Sequence, residues 1–138
     1  LGLVLLGGTI GTAGREGLHL VLPADGGIPW SVFLVNIVGA AVLGGLLAFL
    51  AAEETETPRR REVRLFVGTG ILGGFTTYSA LATDTVLLAD SRPGLAITYA
   101  VASVVLGVLA AGIGFRIGRL LADRHADQHA DRARGGRA

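Results

Sequence analysis

The residues best suited to chemistry lie together in an uncharged stretch at positions 68–79, which reads Gly-Thr-Gly-Ile-Leu-Gly-Gly-Phe-Thr-Thr-Tyr-Ser. The pair Gly73-Gly74 favours a break if this stretch forms a membrane-spanning helix. Each N–H or C=O group freed by such a break must face protein, water or an ion, because leaving it unpaired in hydrocarbon costs several kcal/mol. Broken helices in the middle of a membrane are sites where channels and transporters bind ions. The stretch therefore predicts ion-binding groups at a helix break.

The elements that must position these groups are transmembrane helices. The chain has 138 residues, of which 51% are hydrophobic and only 17% are charged, whereas soluble domains have about 25% charged residues. Apolar runs with few charged residues predict four helices near the spanning length of ~20 residues, at 1–22, 31–52, 63–89 and 95–121. We predict an all-α integral membrane protein whose third helix is broken near its middle.

The predicted organisation is a single four-helix transmembrane domain, 1–122, followed by a polar tail, 123–138. The tail is rich in Arg, His and Asp, and we expect it to be disordered or a frayed extension of the fourth helix. The first residue is not methionine, so we expect a few residues to precede it. Arg15-Glu16 after the first apolar run does not resemble a signal-peptide cleavage site.

Small and polar residues indicate how the helices associate. Gly7 and Gly11 form a G-x-x-x-G pair in the first helix, and Gly107 and Gly114 lie in the fourth; such residues let helices approach closely in lipid. Asn36 is the only strongly polar residue of the second helix. Its amide either makes a structural interhelix hydrogen bond or donates to an ion that passes along the helix.

The arginines predict the orientation. Ten of the twelve lie on the side of the predicted domain that holds both termini and the loop 53–62, and only Arg15 and Arg92 lie on the other. Arginine-rich segments stay cytoplasmic, so both termini are predicted inside. The arginines of the loop are thereby explained by topology rather than by nucleic-acid binding.

Other chemistry finds little support in the sequence. His125 and His129 are spaced i, i+4, and His19 is far away along the chain, so a third metal ligand of suitable spacing is missing. We find no nucleophile with a nearby base and no phosphate-binding loop, and we expect no enzyme activity. Asp84 is expected near the membrane face, where it can point to water.

Several motifs, in order along the chain, resemble the Fluc (CrcB) family of fluoride channels. Residues 7–15 are similar to its first-helix pattern G-G-x-x-G-A-x-x-R, and residues 35–39 to V-N-x-x-G. Residues 73–79 resemble G-G-x-T-T-F-S, the most specific signature. Asp84 stands where the family has an acid, and Tyr99 and Ser103 match its fourth-helix pair.

The resemblance implies a fold, a cofactor and a set of site residues. The family forms antiparallel dimers of four-helix subunits with two fluoride pathways, and a structural sodium ion on the dimer axis is held by backbone carbonyls, here those of Gly73 and Thr76. Fluoride would pass along N–H and O–H donors and aromatic edges. The implied pathway residues are Asn36, Tyr78, Ser79, Tyr99 and Ser103, with Arg15 and Asp84 in the vestibule. The implied location is the bacterial plasma membrane.

Some positions depart from the family pattern. Leu81 stands where the family has the second of two pathway phenylalanines, and Ala80 stands where it has a threonine between them. Val32 stands where the family has a threonine one turn before the asparagine. Homodimeric members also carry little arginine bias because they insert in both orientations. We therefore expect a heterodimer with a paralogous subunit of opposite orientation, in which one pathway can degenerate.

Two other functions are weighed against the channel. A small multidrug transporter would share four helices and antiparallel dimers, but it needs an acidic residue inside the first helix, where Glu16 lies only at the end. A non-conducting assembly subunit would explain the lost polar groups. Substitution of Asn36 separates the last alternative from a channel.

Overall fold

The computed structural model of the protein describes residues 1–22, 27–52 and 57–135, with side chains described as far as residue 126. Its helices are α1 (Gly2–Val21), α2 (Trp30–Leu50), α3 (Pro58–Val63), α4 (Gly73–Phe75), α5 (Tyr78–Ser91) and α6 (Pro93–Gly135). A π-helical segment, Arg64–Leu72, connects α3 to α4. Within the predicted loop 53–62, residues 53–56 lie outside the described range. Thr57 begins α3, since its side chain accepts a hydrogen bond from the Arg60 N–H and Pro58 follows it in the first turn.

Within the described ranges, three helical stretches are long and apolar enough to cross a membrane: Trp30–Leu50, Pro58–Ser91 and Pro93–Ala126. The prediction of a multi-pass α-helical membrane protein is thus confirmed. Helix α1 has 20 residues, but Arg15, Glu16 and its glycines lower its mean hydropathy. Its role as a fourth span stays a prediction.

The third predicted helix is interrupted, but not where we expected. Gly73 and Gly74 are helical, and the extended residues are Thr76 (φ −77°, ψ 151°) and Thr77 (φ −150°, ψ 118°). The prediction of a break at the glycine pair is therefore wrong by three residues. β-branched threonines favour extended backbone over helix, and the glycines have another role in packing.

That role is close contact between helix backbones. A Cβ at Gly74 would overlap the Gly8 carbonyl oxygen of α1, and a Cβ at Gly11 would overlap the Ile71 carbonyl oxygen. The predicted packing glycine Gly7 lies against the same segment, where a Cβ would stand 2.9 Å from the Gly70 Cα. These glycines hold α1 against the π-helical segment and α4 at backbone contact distance.

Helix α6 packs along α2 in the same way. A Cβ at Gly114 would overlap the Ala41 carbonyl oxygen, and one at Gly118 would overlap the Gly45 carbonyl oxygen. Gly107, which the sequence predicted as a packing residue, has open space around its Cβ position within the chain. Gly107 therefore makes no close helix contact within the described part of the chain.

The backbone of residues 123–135 continues helix α6 as far as Gly135. The boundary of the transmembrane domain at residue 122 and the disorder of the tail stay predictions. Residues 136–138 of the predicted tail lie outside the described part of the chain.

Candidate functional site

The helix break is held by one side chain of α2. The Asn36 Nδ2 donates a hydrogen bond to the Thr77 carbonyl oxygen (3.0 Å), and the Thr77 N–H donates to the Asn36 Oδ1 (2.8 Å). The amide thus satisfies both backbone groups of an extended residue that has left its helix. Gly39 lies one turn later in α2, and a Cβ there would overlap the Thr76 methyl group. Asn36 and Gly39 together fit α2 to the break.

The Asn36 bond also affects the carbonyl of Gly73. In an unbroken α-helix the Thr77 N–H would donate to that carbonyl, but here it donates to Asn36. The Thr76 N–H and the Thr76 Oγ1 both donate to the Leu72 carbonyl, each at 2.9 Å. Backbone carbonyls released at a helix break suit a hard cation such as sodium. The backbone carbonyl oxygens of Gly73 and Thr76 are therefore suitable ligands for the sodium ion that the resemblance implies.

Hydroxyl groups begin directly after the break. Thr77 Oγ1 lies 3.1 Å from Ser79 Oγ and accepts a hydrogen bond from the Ala80 N–H at 3.2 Å. Thr77 is buried, whereas Ser79 is exposed. The Thr77 side chain therefore caps α5 and orients the Ser79 hydroxyl toward open space.

That open space is a cavity of about 360 Å³ between α1, α2 and α5. It brings together Ser79, Arg15 and Asp84 of the predicted site. Its polar lining consists of Arg15, Glu16, His19, Ser31, Thr77, Ser79, Thr83 and Asp84. Arg15 is paired with Glu16 at 3.2 Å, and the Asp84 Oδ2 is buried with no hydrogen-bond partner among the described residues. The cavity is a polar vestibule that ends at the helix break.

The remaining predicted pathway residues lie outside this cavity. Tyr78 is 80% exposed on the surface of the chain. Tyr99 is buried against Val32 and Leu81, and its hydroxyl is buried with no partner in the described part of the chain. Ser103 donates its hydroxyl to the Tyr99 carbonyl at 2.7 Å. The chain therefore assembles part of the predicted set and leaves Tyr78 exposed at its surface.

Sequence reasoning missed two vestibule residues. His19 was considered only as a metal ligand, and Ser31 only as the start of a helix. The structure places His19 Nδ1 2.8 Å from Ser31 Oγ. Among the side chains that the structure describes, no group of three His, Cys, Asp or Glu residues could hold a metal ion. No spacing rule along the chain could have joined His19 to Ser31, because the pair depends on how α1 and α2 meet.

Comparison with known proteins places these features in a family. Residues 2–115 match the family model described as CrcB-like protein, Camphor Resistance (CrcB). A protein of Leifsonia xyli named fluoride-specific ion channel FluC 2 is 46% identical over 123 residues, which cover 88% of this chain and 85% of that protein. FluC 1 of Cutibacterium acnes is 43% identical over 115 residues, 82% of this chain and 80% of that protein. FluC of a Thermus thermophilus strain is 38% identical over 122 residues, 86% of this chain and 94% of that protein.

Proposed function

The chain belongs to the CrcB-like family, and on that premise we propose that it is a subunit of a fluoride-specific channel that lets fluoride leave the cell and so limits its toxicity. The relatives described above are ion channels rather than enzymes by name. The observation that carries the proposal is the break at Thr76 and Thr77, held by Asn36 and adjoining a polar vestibule. We place the channel in the bacterial plasma membrane.

Fluoride is small and strongly hydrated, so a pathway must replace its water with hydrogen-bond donors without binding it too tightly. The Asn36 amide carries two N–H donors, and one of them already binds Thr77. Its second N–H and the Ser79 hydroxyl can donate to an anion arriving from the vestibule. Tyr78, Tyr99 and Ser103 complete the proposed pathway, and Arg15 and Asp84 line its mouth.

We propose that the carbonyls of Gly73 and Thr76 hold a structural sodium ion between two subunits. Gly73 is exposed at the subunit surface, where it can meet the matching residue of a second subunit. A bound sodium ion would supply a fixed positive charge that orders the freed carbonyls of both breaks.

Sodium removal tests this site. Protein purified and assayed with N-methylglucamine in place of sodium should lose most of its fluoride flux and unfold at a lower temperature, because carbonyls of like polarity would face one another without a cation. Returning sodium at equal ionic strength should restore both. Equal flux and thermal stability with and without sodium would contradict the assignment of Gly73 and Thr76.

We further propose four spans, with α1 as the first and both termini cytoplasmic, in an antiparallel dimer with a paralogous subunit of opposite orientation. The arginine bias supports a fixed orientation. The space around Gly107 and the exposure of Val104 (56%) and Val108 (68%) leave that face of α6 open within one subunit. This face can accept a second subunit at close range.

Expression of this chain alone and together with such a paralogue tests the heterodimer. We expect little fluoride efflux from vesicles that contain the single chain and robust efflux from vesicles that contain both, since two chains of one fixed orientation cannot form an antiparallel pair. A control pairs the chain with a second copy of itself on one plasmid. Robust efflux from the single chain would defeat the heterodimer proposal and leave the channel proposal intact.

A non-conducting assembly subunit is the second candidate, and one observation favours it. Leu81 and Val32, which stand at family pathway positions, are buried with Tyr99 in a core cluster. Leu81 and Val32 therefore serve packing rather than a fluoride pathway. The aromatic ring edge that family members present to fluoride at the position of Leu81 would have to be supplied by the partner subunit. A small multidrug transporter is not supported, since the acid of α1, Glu16, is paired with Arg15.

A further inference from the structure

We propose that His19 and Ser31 form, with Arg15, a small-anion site at the mouth of the fluoride pathway, and that protonation of His19 recruits fluoride to it. This inference rests on the proposed channel function and adds a binding residue and a proton dependence to it. Neither His19 nor Ser31 belongs to the pathway set predicted from the sequence.

Ser31 fixes the position of the imidazole. His19 lies in the last turn of α1 and Ser31 in the first turn of α2, with His19 Nδ1 2.8 Å from Ser31 Oγ. Ser31 is only 2% exposed, so its hydroxyl is an anchored partner rather than a mobile surface group. The ring is thereby held at the wall of the vestibule.

His19 and Asp84 are shared by two cavities. The inner one is the vestibule of about 360 Å³. The outer one, of about 410 Å³, is lined also by Gly27, Pro29 and Arg92, at the ends of the helices. The His19 and Asp84 side chains therefore lie where the two cavities meet, between the ends of the helices and Ser79.

The charges at this place depend on His19. The titratable and charged groups that face it are Arg15 and Glu16 of α1, Asp84 of α5 and Arg92 in the outer cavity. Arg15 and Glu16 are paired at 3.2 Å, so the charge of Asp84 is the one left unbalanced in the vestibule when His19 is neutral. Imidazole groups gain a proton between about pH 8 and pH 5. A cationic His19 balances Asp84 and lets Arg15 and the Ser31 hydroxyl attract an anion.

Fluoride efflux from vesicles, at equal pH inside and outside, tests the site. The protein is reconstituted with its paired subunit if the single chain is silent, and efflux from protein-free vesicles is subtracted to remove leakage through the lipid. We expect initial efflux to be roughly threefold faster at about pH 5.5 than at about pH 7.5, the effect of one added charge in a solvated cavity.

Three variants make the test specific. His19→Gln can still bond Ser31 but carries no charge, so efflux should stay at the slow rate at both pH values. Asp84→Asn removes the opposing charge while His19 can still gain a proton, so efflux should be faster than that of the wild type at about pH 7.5 and should still rise at about pH 5.5. His125→Gln is the matched control, because His125 packs on the Phe49 ring at a centroid distance of 6.2 Å in another part of the chain; it should keep the wild-type response.

The outcomes separate this inference from the channel proposal. Equal efflux at both pH values in the wild type, or an unchanged pH response in His19→Gln, would overturn the role of His19 while the channel stands. If His19→Gln fails to fold, Asp84→Asn decides: efflux at about pH 7.5 no faster than that of the wild type would overturn the inference. Absence of fluoride efflux from the wild type, with or without a paired subunit, would refute the channel proposal itself.

Discussion

Replacing Asn36 by alanine is expected to lower fluoride flux about 100-fold, because it removes both hydrogen bonds that hold Thr77 and leaves two backbone groups unpaired at about 1–3 kcal/mol each. Water cannot fully replace the amide inside a bilayer. The break would then relax toward continuous helix, and the donor that the pathway needs would be missing as well. The measurement is fluoride efflux from reconstituted vesicles, with the yield of folded protein recorded for each variant.

Two comparisons sharpen this result. Asn36→Asp keeps an oxygen that can accept from the Thr77 N–H but loses the donor and adds a negative charge, so flux should fall as far while the break survives. Thr98→Ala is the control, because the exposed Thr98 hydroxyl bonds only the Gly94 carbonyl of its own helix. Wild-type flux in Asn36→Ala, in a complex known to contain this subunit, would indicate an assembly subunit instead of a conducting one.

Replacing Gly114 by alanine is expected to prevent stable folding. The added Cβ would overlap the Ala41 carbonyl oxygen and would lie 2.7 Å from its carbon, and both are backbone atoms that cannot rotate away. The two helices must separate along their longest contact, at a cost of about 3 kcal/mol or more for an overpacked site. Thermal unfolding of the detergent-solubilised protein, followed by the loss of monodisperse material, measures the effect.

Gly112→Ala is the matched control, two residues earlier in the same helix. No atom lies within 4 Å of its Cβ position, and alanine favours helix over glycine by about 1 kcal/mol. We expect equal or greater stability. If Gly114→Ala were as stable as Gly112→Ala, the close contact between α2 and α6 would be disproved.

The sequence was sufficient to predict a helical membrane protein and a broken third helix, because hydropathy and the 68–79 stretch depend on local composition. The break predicted from the sequence was three residues too early. Both glycines and threonines can interrupt a helix, and which of them does so depends on tertiary contacts. Gly74 is used to contact Gly8, and Thr77 finds its partner in Asn36. The π-helical segment Arg64–Leu72 was not predicted, since no sequence pattern identifies such a register shift.

For Asn36 the structure adds what the sequence could not decide, namely which groups its side-chain amide binds. The sequence left it as either a structural amide or an ion donor, and the structure gives it two bonds to the backbone of the break while one N–H is not used by them. The His19–Ser31 pair and the burial of Tyr99 depend on the angle at which three helices meet. Neither could be deduced from spacing along the chain.

The most direct test of the central claim is electrical recording from bilayers that contain this subunit with its paired subunit, first in fluoride and then in chloride. We predict discrete currents in fluoride, none in chloride, and loss of the fluoride currents when Asn36 is replaced by alanine in this subunit. Currents of similar size in both salts, or fluoride currents that persist without the Asn36 amide, would contradict a pathway built on the break at Thr76 and Thr77.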